Sequence, residues 1–181
     1  MIRICLMAIL VAAALPAAAQ IYAGRGTLHI ASSGSSSATA LVSEQLSCRF
    51  TPGTGRVLLL FKAESLLRAD GTADAPVMQG IFEAASSTLW TIEADLTPWA
   101  LQDGSTQEVD IPQLPVTILA NDRSVRQPAA ASLKLTPAAF TLDLSVTLHL
   151  ADLGLNVPAP LAGRFADEVT LTIPAAELTR R

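Results

Sequence analysis

From Phe140 to Leu150 the chain alternates without an exception. Phe140, Leu142, Leu144, Val146, Leu148 and Leu150 are apolar, and Thr141, Asp143, Ser145, Thr147 and His149 between them are polar. A period of two places every apolar side chain on one face of an extended strand. Coiled into a helix, the same residues would scatter Phe140 and Leu144 onto the face of Thr141 and Asp143. At ~3.3 Å per residue the run spans about 36 Å, long for a sandwich strand and suited to a tilted, curved strand of a barrel.

The same period recurs. Trp90, Ile92, Ala94 and Leu96 alternate with Thr91, Glu93 and Asp95, and Val169, Leu171 and Ile173 with Glu168, Thr170 and Thr172. Leu133 and Leu135 flank Lys134 in a shorter piece that Pro137 interrupts. Leu46, Cys48 and Phe50 share a face within Glu44–Phe50, and residues 51–55 supply a turn into Val57–Phe61. That last run is apolar throughout, as for a strand covered on both faces. Thr27–Ala31, Ala38–Val42 and Val109–Leu119 are further strand candidates, the last broken by Pro112 and Pro115. Helical signal is thin: a turn or two over Lys62–Arg68, and a short helix over Ala75–Phe82 with proline near its start. About eight or nine strands with no alternation of strand and helix predict an all-β, antiparallel barrel or sandwich.

Part of the apolarity does not belong to the folded domain. Met1 to Gln20 begin with Arg3, continue through an apolar run Ile4–Leu15, and close with Pro16-Ala17-Ala18-Ala19. That is the pattern of a secretory signal cleaved after Ala19, and the run is too short for a membrane span. Cys5 stands at the start of the apolar run and not after it, so it is not the lipidated cysteine that follows a lipoprotein signal. The expected organisation is a leader over 1–19 and one domain over 20–181, in an exported, periplasmic protein with no integral membrane span in the mature chain. Removing the leader takes Arg3 and Cys5, leaving 11 basic against 16 acidic residues and a single cysteine, Cys48. An intramolecular disulfide is then ruled out, and nucleic acid is not an expected partner. Cys48 lies on the apolar phase of its segment and is expected to be buried. Ser32-Ser33-Gly34-Ser35-Ser36-Ser37 carries no large apolar residue and reads as a flexible loop.

No enzymatic motif is present: no G-x-S-x-G, no H-E-x-x-H, no glycine-rich phosphate loop. His149 falls on the polar phase of its strand, and His29 lies between Leu28 and Ile30. A dyad of Cys48 with either histidine has no local signature. Asp167 and Glu168 point to opposite faces, whereas Glu93 and Asp95 share one that reads as a solvated outer wall. No catalytic residue, metal or cofactor is therefore expected. The apolar phase is the feature that can act: in a closed sheet it lines an interior that side chains fill or one elongated ligand occupies. The expected lining is Leu58, Leu60, Trp90, Ile92, Phe140, Leu142, Leu144, Val146 and Leu148. An aromatic content of 4% favours room inside.

The carboxyl half carries a resemblance. Ala151-Asp152-Leu153-Gly154-Leu155, Pro158, Gly163 and Asp167–Ile173 resemble the closing segment of the YceI-like family. Upstream, Ser65-Leu66, Gly71, Asp74, Met78 and Phe82 resemble that family's stretch after its apolar strand. The likeness runs from Val57 to Ile173 as spaced short motifs, with departures that mark a diverged member. Ala73 stands where the family has arginine, Leu153 where it has phenylalanine, and the serine-rich stretch replaces its amino-terminal pattern. The resemblance implies a lipocalin-like, eight-stranded antiparallel barrel in a periplasmic protein that binds a polyisoprenoid or other long-chain lipid, for transport or storage. The alternative is a ligand-free structural or interaction module of the envelope, with Pro112, Pro115 and Pro137 blunting strand edges. A homodimer is compatible with either, and a hydrolase ranks behind both.

Overall fold

The alternating run at Phe140 is one stave of a closed barrel. The computed structural model describes residues 20–32, 40–82 and 88–181. The strands are β1 (Tyr22–Ser32), β2 (Ala40–Thr51), β3 (Arg56–Lys62), β4 (Leu67–Arg68), β5 (Leu89–Asp95), β6 (Gln107–Ala120), β7 (Arg123–Leu135), β8 (Ala139–His149) and β9 (Glu168–Arg180). All pair antiparallel in the order β1-β9-β8-β7-β6-β5-β3-β2, and pairing of β1 with β2 closes the ring of eight. The two-residue β4 extends the ring, pairing with Leu41 and Val42 of β2 beyond the reach of β3. The predicted helices are short: a 3-10 turn at Ala63–Ser65, and α1 (Ala75–Val77) running into a wider turn at Met78–Phe82.

Several strands are longer than their sequence pattern announces. β2 joins two predicted segments, and its buried phase changes from Leu41 and Ser43 to Leu46, Cys48 and Phe50. The change occurs where β1 and β2 shift register between Gly26 and Leu28, so the inward face is kept through a bulge. β9 continues past Pro174 to Arg180. There Pro174 and Ala175 together oppose Asp143, and the Asp143 carboxylate accepts the Ala175 N–H at 2.7 Å. β6 bulges likewise, Pro112 and Gln113 opposing Ala130. Its hairpin with β7 turns on Asn121 and Asp122, both at positive φ (50° and 58°), as a two-residue primed turn requires.

The prolines do not blunt the ends of an open sheet, because the sheet has none. Pro112 lies in the β6 bulge, Pro137 in the turn between β7 and β8, and Pro115 where adjacent staves part. Pro115 and Pro128 face each other across β6 and β7. The ladder to β5 starts only at Val116, and the ladder to β8 only at Ala129. A residue without an N–H is tolerated at such a boundary. The turn at Leu150–Leu153 packs against β7 beside the parted staves, and Asn121 Nδ2 donates to the carbonyls of Leu153 and Gly154, each at 3.4 Å.

The expected leader over 1–19, with Cys5, lies outside the described residues, as do residues 33–37 of the serine-rich stretch. Ser32 is the last residue of β1, buried, and its hydroxyl accepts the Ala166 N–H. Among the described residues no helix is long and apolar enough to cross a membrane.

Candidate functional site: the lumen and its two ends

The inward phase of the staves is apolar along its length. Val57, Leu59 and Phe61 on β3, Trp90 and Ile92 on β5, and Phe140, Leu142, Leu144, Val146 and Leu148 on β8 are all buried. The expected lining residues on β5 and β8 therefore share the inner face. Leu58 and Leu60 do not: they sit half-exposed on the outward phase, Leu58 opposite Glu93 and Leu60 opposite Thr91. An uninterrupted apolar run has no polar residue to fix its phase, and the pairing with β5 settled it the other way. Polar groups with buried side chains are few. Ser43 bonds Ser65 across 2.6 Å, and Ser32 and Asp74 are the others among the described residues.

Aromatic rings close the lumen at both ends. At one end Phe50 of β2 stacks on Phe140 of β8, centroids 4.2 Å apart, with Tyr22 tilted against Phe50 at 6.0 Å. β2 and β8 are not neighbours in the ring, so this stack crosses the lumen. The Tyr22 hydroxyl donates to Asp103 Oδ1 at 2.9 Å, and Arg180 lies 3.8 Å from the same carboxylate. Burial, then the hydrogen bond to Asp103, pushes the Tyr22 phenol above its ordinary range. At the other end Trp90 tilts against Phe61 at 5.4 Å and against Phe82 at 6.0 Å, and Phe82 meets Phe165 edge-on at 6.1 Å. Few aromatics thus do not mean an open interior: the rings the chain has are concentrated at its mouths.

The cap at the Trp90 end gathers the residues that carry the family resemblance. Leu66, Asp74, Met78 and Phe82 are buried there, with Leu153 and Leu155 from the connection after β8. Asp74 caps α1 and receives Arg164 Nη2 on its second oxygen at 2.8 Å.

The remaining candidates are not brought together. Cys48 faces the lumen, 2% exposed, whereas His29 and His149 lie on the outward phase, so no dyad forms among them. His149 Nδ1 is 3.1 Å from Asp167 on the surface. Glu93 pairs with Arg56 at 3.2 Å. Asp95 accepts both the N–H and the hydroxyl of Thr97, which holds its carboxyl below the usual range; it caps a turn. Among the described residues no cluster of His, Cys, Asp and Glu could hold a metal.

One further feature has little trace in the sequence pattern, a concavity of about 550 Å³ on the outer wall. It lies between the two proline bulges, lined by Pro112, Ala130, Ser132, Ser145, Thr172 and Pro174 among others. Two prolines inside strand patterns, Pro112 on β6 and Pro174 on β9, with the small residues Ala130, Ser132 and Ser145 on the two strands between them, are the signal that points to it.

Burial pushes the Cys48 thiol from an ordinary 9.0 up to about 12. The folded chain holds this proton more tightly than the unfolded one, so the stability it contributes is complete below pH 9 and is lost as pH rises towards 12. Urea titrations across that interval are expected to show a steeper fall for the wild type than for Cys48→Ala. Equal slopes would place the thiol in contact with water.

Comparison with solved structures agrees with the architecture. A polyisoprenoid-binding domain from Saccharophagus degradans, implicated in plant cell wall breakdown, superposes with a TM-score of 0.65 at 13% identity, covering 89% of this chain and 98% of that one. BcnA from Burkholderia cenocepacia gives a TM-score of 0.59 at 12% identity, covering 84% and 94%. No family model matches the sequence, and no curated protein matches it. At such identities the likeness is one of fold: this chain is built as the same kind of closed antiparallel barrel as these two.

Proposed function

We propose that the protein is a lipid-binding barrel, a diverged member of the YceI-like family, that carries or stores a long apolar chain of isoprenoid type in its lumen after export to the periplasm. The observation that carries this reading is the inward phase itself, apolar on stave after stave from Phe50 to Trp90. A polyprenyl chain placed there would gain ~0.8 kcal/mol for each CH₂ removed from water. The likeness in fold to a polyisoprenoid-binding domain supports the same ligand class. The reading is of a binding protein: Cys48 and the histidines lie on opposite faces of the wall, and the acidic pairs are engaged in surface contacts.

Native mass spectrometry of the protein after incubation with solanesol tests it. A one-to-one complex is expected, with Trp90 emission shifted because its ring borders the lumen. A lipid-free mass and unchanged emission would overturn the reading. The rings that close both mouths favour a second one, a filled structural module that meets a partner through its outer wall, where the concavity between the bulges lies. That module would remain lipid-free under every loading condition.

A further inference from the structure

The outer face of a barrel is convex, so a hollow in it needs strands that bend, and bulges bend them. The concavity of about 550 Å³ spans four consecutive staves, β6 to β9. On the outer two, the bulges set an exposed proline on each side, Pro112 and Pro174. On the middle two, the outward positions are Ala130, Ser132 and Ser145, side chains too small to fill the space the bulges open.

One edge of the hollow is charged. Asp110 on β6 and Asp143 on β8 both stand opposite Ser132 on β7, which sets their Cα atoms ~10 Å apart, two strand spacings. Both side chains are exposed and both line the hollow. The Ala175 N–H holds Asp143 in place through one oxygen. Its other oxygen and the whole carboxylate of Asp110 meet no partner among the described residues. No lysine or arginine is among the residues that line the hollow. Lys134, on the adjoining row of β7, stands opposite Glu108, with Glu177 beyond Thr141 on the same row. The field over the hollow is therefore negative.

We infer that this hollow binds a small organic cation, a primary amine or guanidine carried on a short aromatic or branched aliphatic body. The head lies between Asp110 and Asp143 over Ser132, and the body lies on Ala130 and Ser145 between the two prolines. The carboxylates accept charge-assisted hydrogen bonds from the head. Burial of the body against the apolar walls supplies the rest of the affinity. A volume of this size is that of a small-molecule site. The hollow is only ~14 Å across, three strand spacings, and by itself is far smaller than the ~800 Å² that a protein partner covers. It lies outside the wall, so its occupancy does not depend on what the lumen holds.

Titration of isotope-labelled protein with phenethylammonium, followed by amide chemical shifts, tests the inference. Saturable shifts are expected at Ala130, Ser132, Ser145 and Thr172, with a Kd of about 1 mM. Phenethyl alcohol, the same body without the charge, is expected to bind about tenfold more weakly. Asp143→Asn is expected to weaken the ammonium by about the same factor. Asparagine keeps an oxygen for the Ala175 N–H, and unmoved amides elsewhere check that the bulge survives. Asp110→Asn, where no bond of the fold is at stake, measures the charge a second time. Ala130→Leu fills the floor at an exposed position and is expected to abolish binding of both compounds. No shift at about 10 mM ammonium, or shifts confined to the lumen-facing amides, would overturn the site. Equal affinity for ammonium and alcohol, or unaltered affinity in both asparagine variants, would overturn the cation. Full binding in Ala130→Leu would overturn the placement of the body.

Discussion

Replacing Phe140 with alanine is expected to remove about 4 kcal/mol of stability and to lower the thermal midpoint by roughly 10 °C. Phe140 is fully buried, opposite Leu135 on one neighbouring strand and Leu178 on the other. Its ring also reaches across the lumen to stack on Phe50. Removal forfeits the transfer energy of the ring and leaves Phe50 without a face to pack on. The staves on either side are held in their ladders and cannot collapse to fill the gap. Thr141→Ala, one residue on and on the outward phase, is expected to change stability by less than about 0.5 kcal/mol. Thermal and urea melts followed by circular dichroism measure both. A loss below about 1 kcal/mol for Phe140→Ala would mean that the Tyr22 end is not closed by packed rings.

Gly24→Ala is expected to cost about 3 kcal/mol or to prevent closure of the barrel altogether. A Cβ at this position would lie 2.3 Å from the carbonyl oxygen of Glu177 and 3.0 Å from the Cα of Leu178. Both are backbone atoms of β9, so no side chain can turn aside. β1 would have to move away from its partner along the seam from Tyr22 to Arg25. Gly53→Ala is the control, because nothing lies within 4 Å of its added methyl. Soluble yield and the urea midpoint separate the two. A Gly24→Ala protein as stable as the Gly53→Ala protein would show that this seam can widen freely.

What could be read in the sequence depended on whether polar residues interrupted the apolar ones. β8, predicted as 140–150, runs from Ala139 to His149, and β5, predicted as 90–96, runs from Leu89 to Asp95. In both, each apolar residue has a polar neighbour that fixes its face. Val57–Phe61 has none, so its pattern leaves the phase open, and the structure turns Leu58 and Leu60 outward. β7 was nearly invisible, because Pro128 and three alanines carry almost no pattern; its long ladder with β6 makes it a strand. Asn121-Asp122 was the one local sign of that hairpin, a pair that tolerates positive φ. The choice between barrel and sandwich could not come from period at all. It rests on β1 pairing with both β2 and β9, a contact between the two ends of the domain. The buried phase of the lining was legible on β5 and β8, but the aromatic closure was not, since Phe50 meets Phe140 and Phe82 meets Phe165 only through tertiary packing.

The seam between the first and the last strand also governs how the chain folds. Tyr22 is paired with Arg180, and β1 lies between β2 and β9. Joining ends so far apart in sequence carries a large loop-closure cost before any contact repays it, which makes folding slow. The ring also cannot close until the carboxyl-terminal strand has been synthesised. A nascent chain can form the β6–β7 hairpin while it emerges, but the barrel waits for β9. A polypeptide whose ring stays open until β9 has been made remains threadable for all of that time.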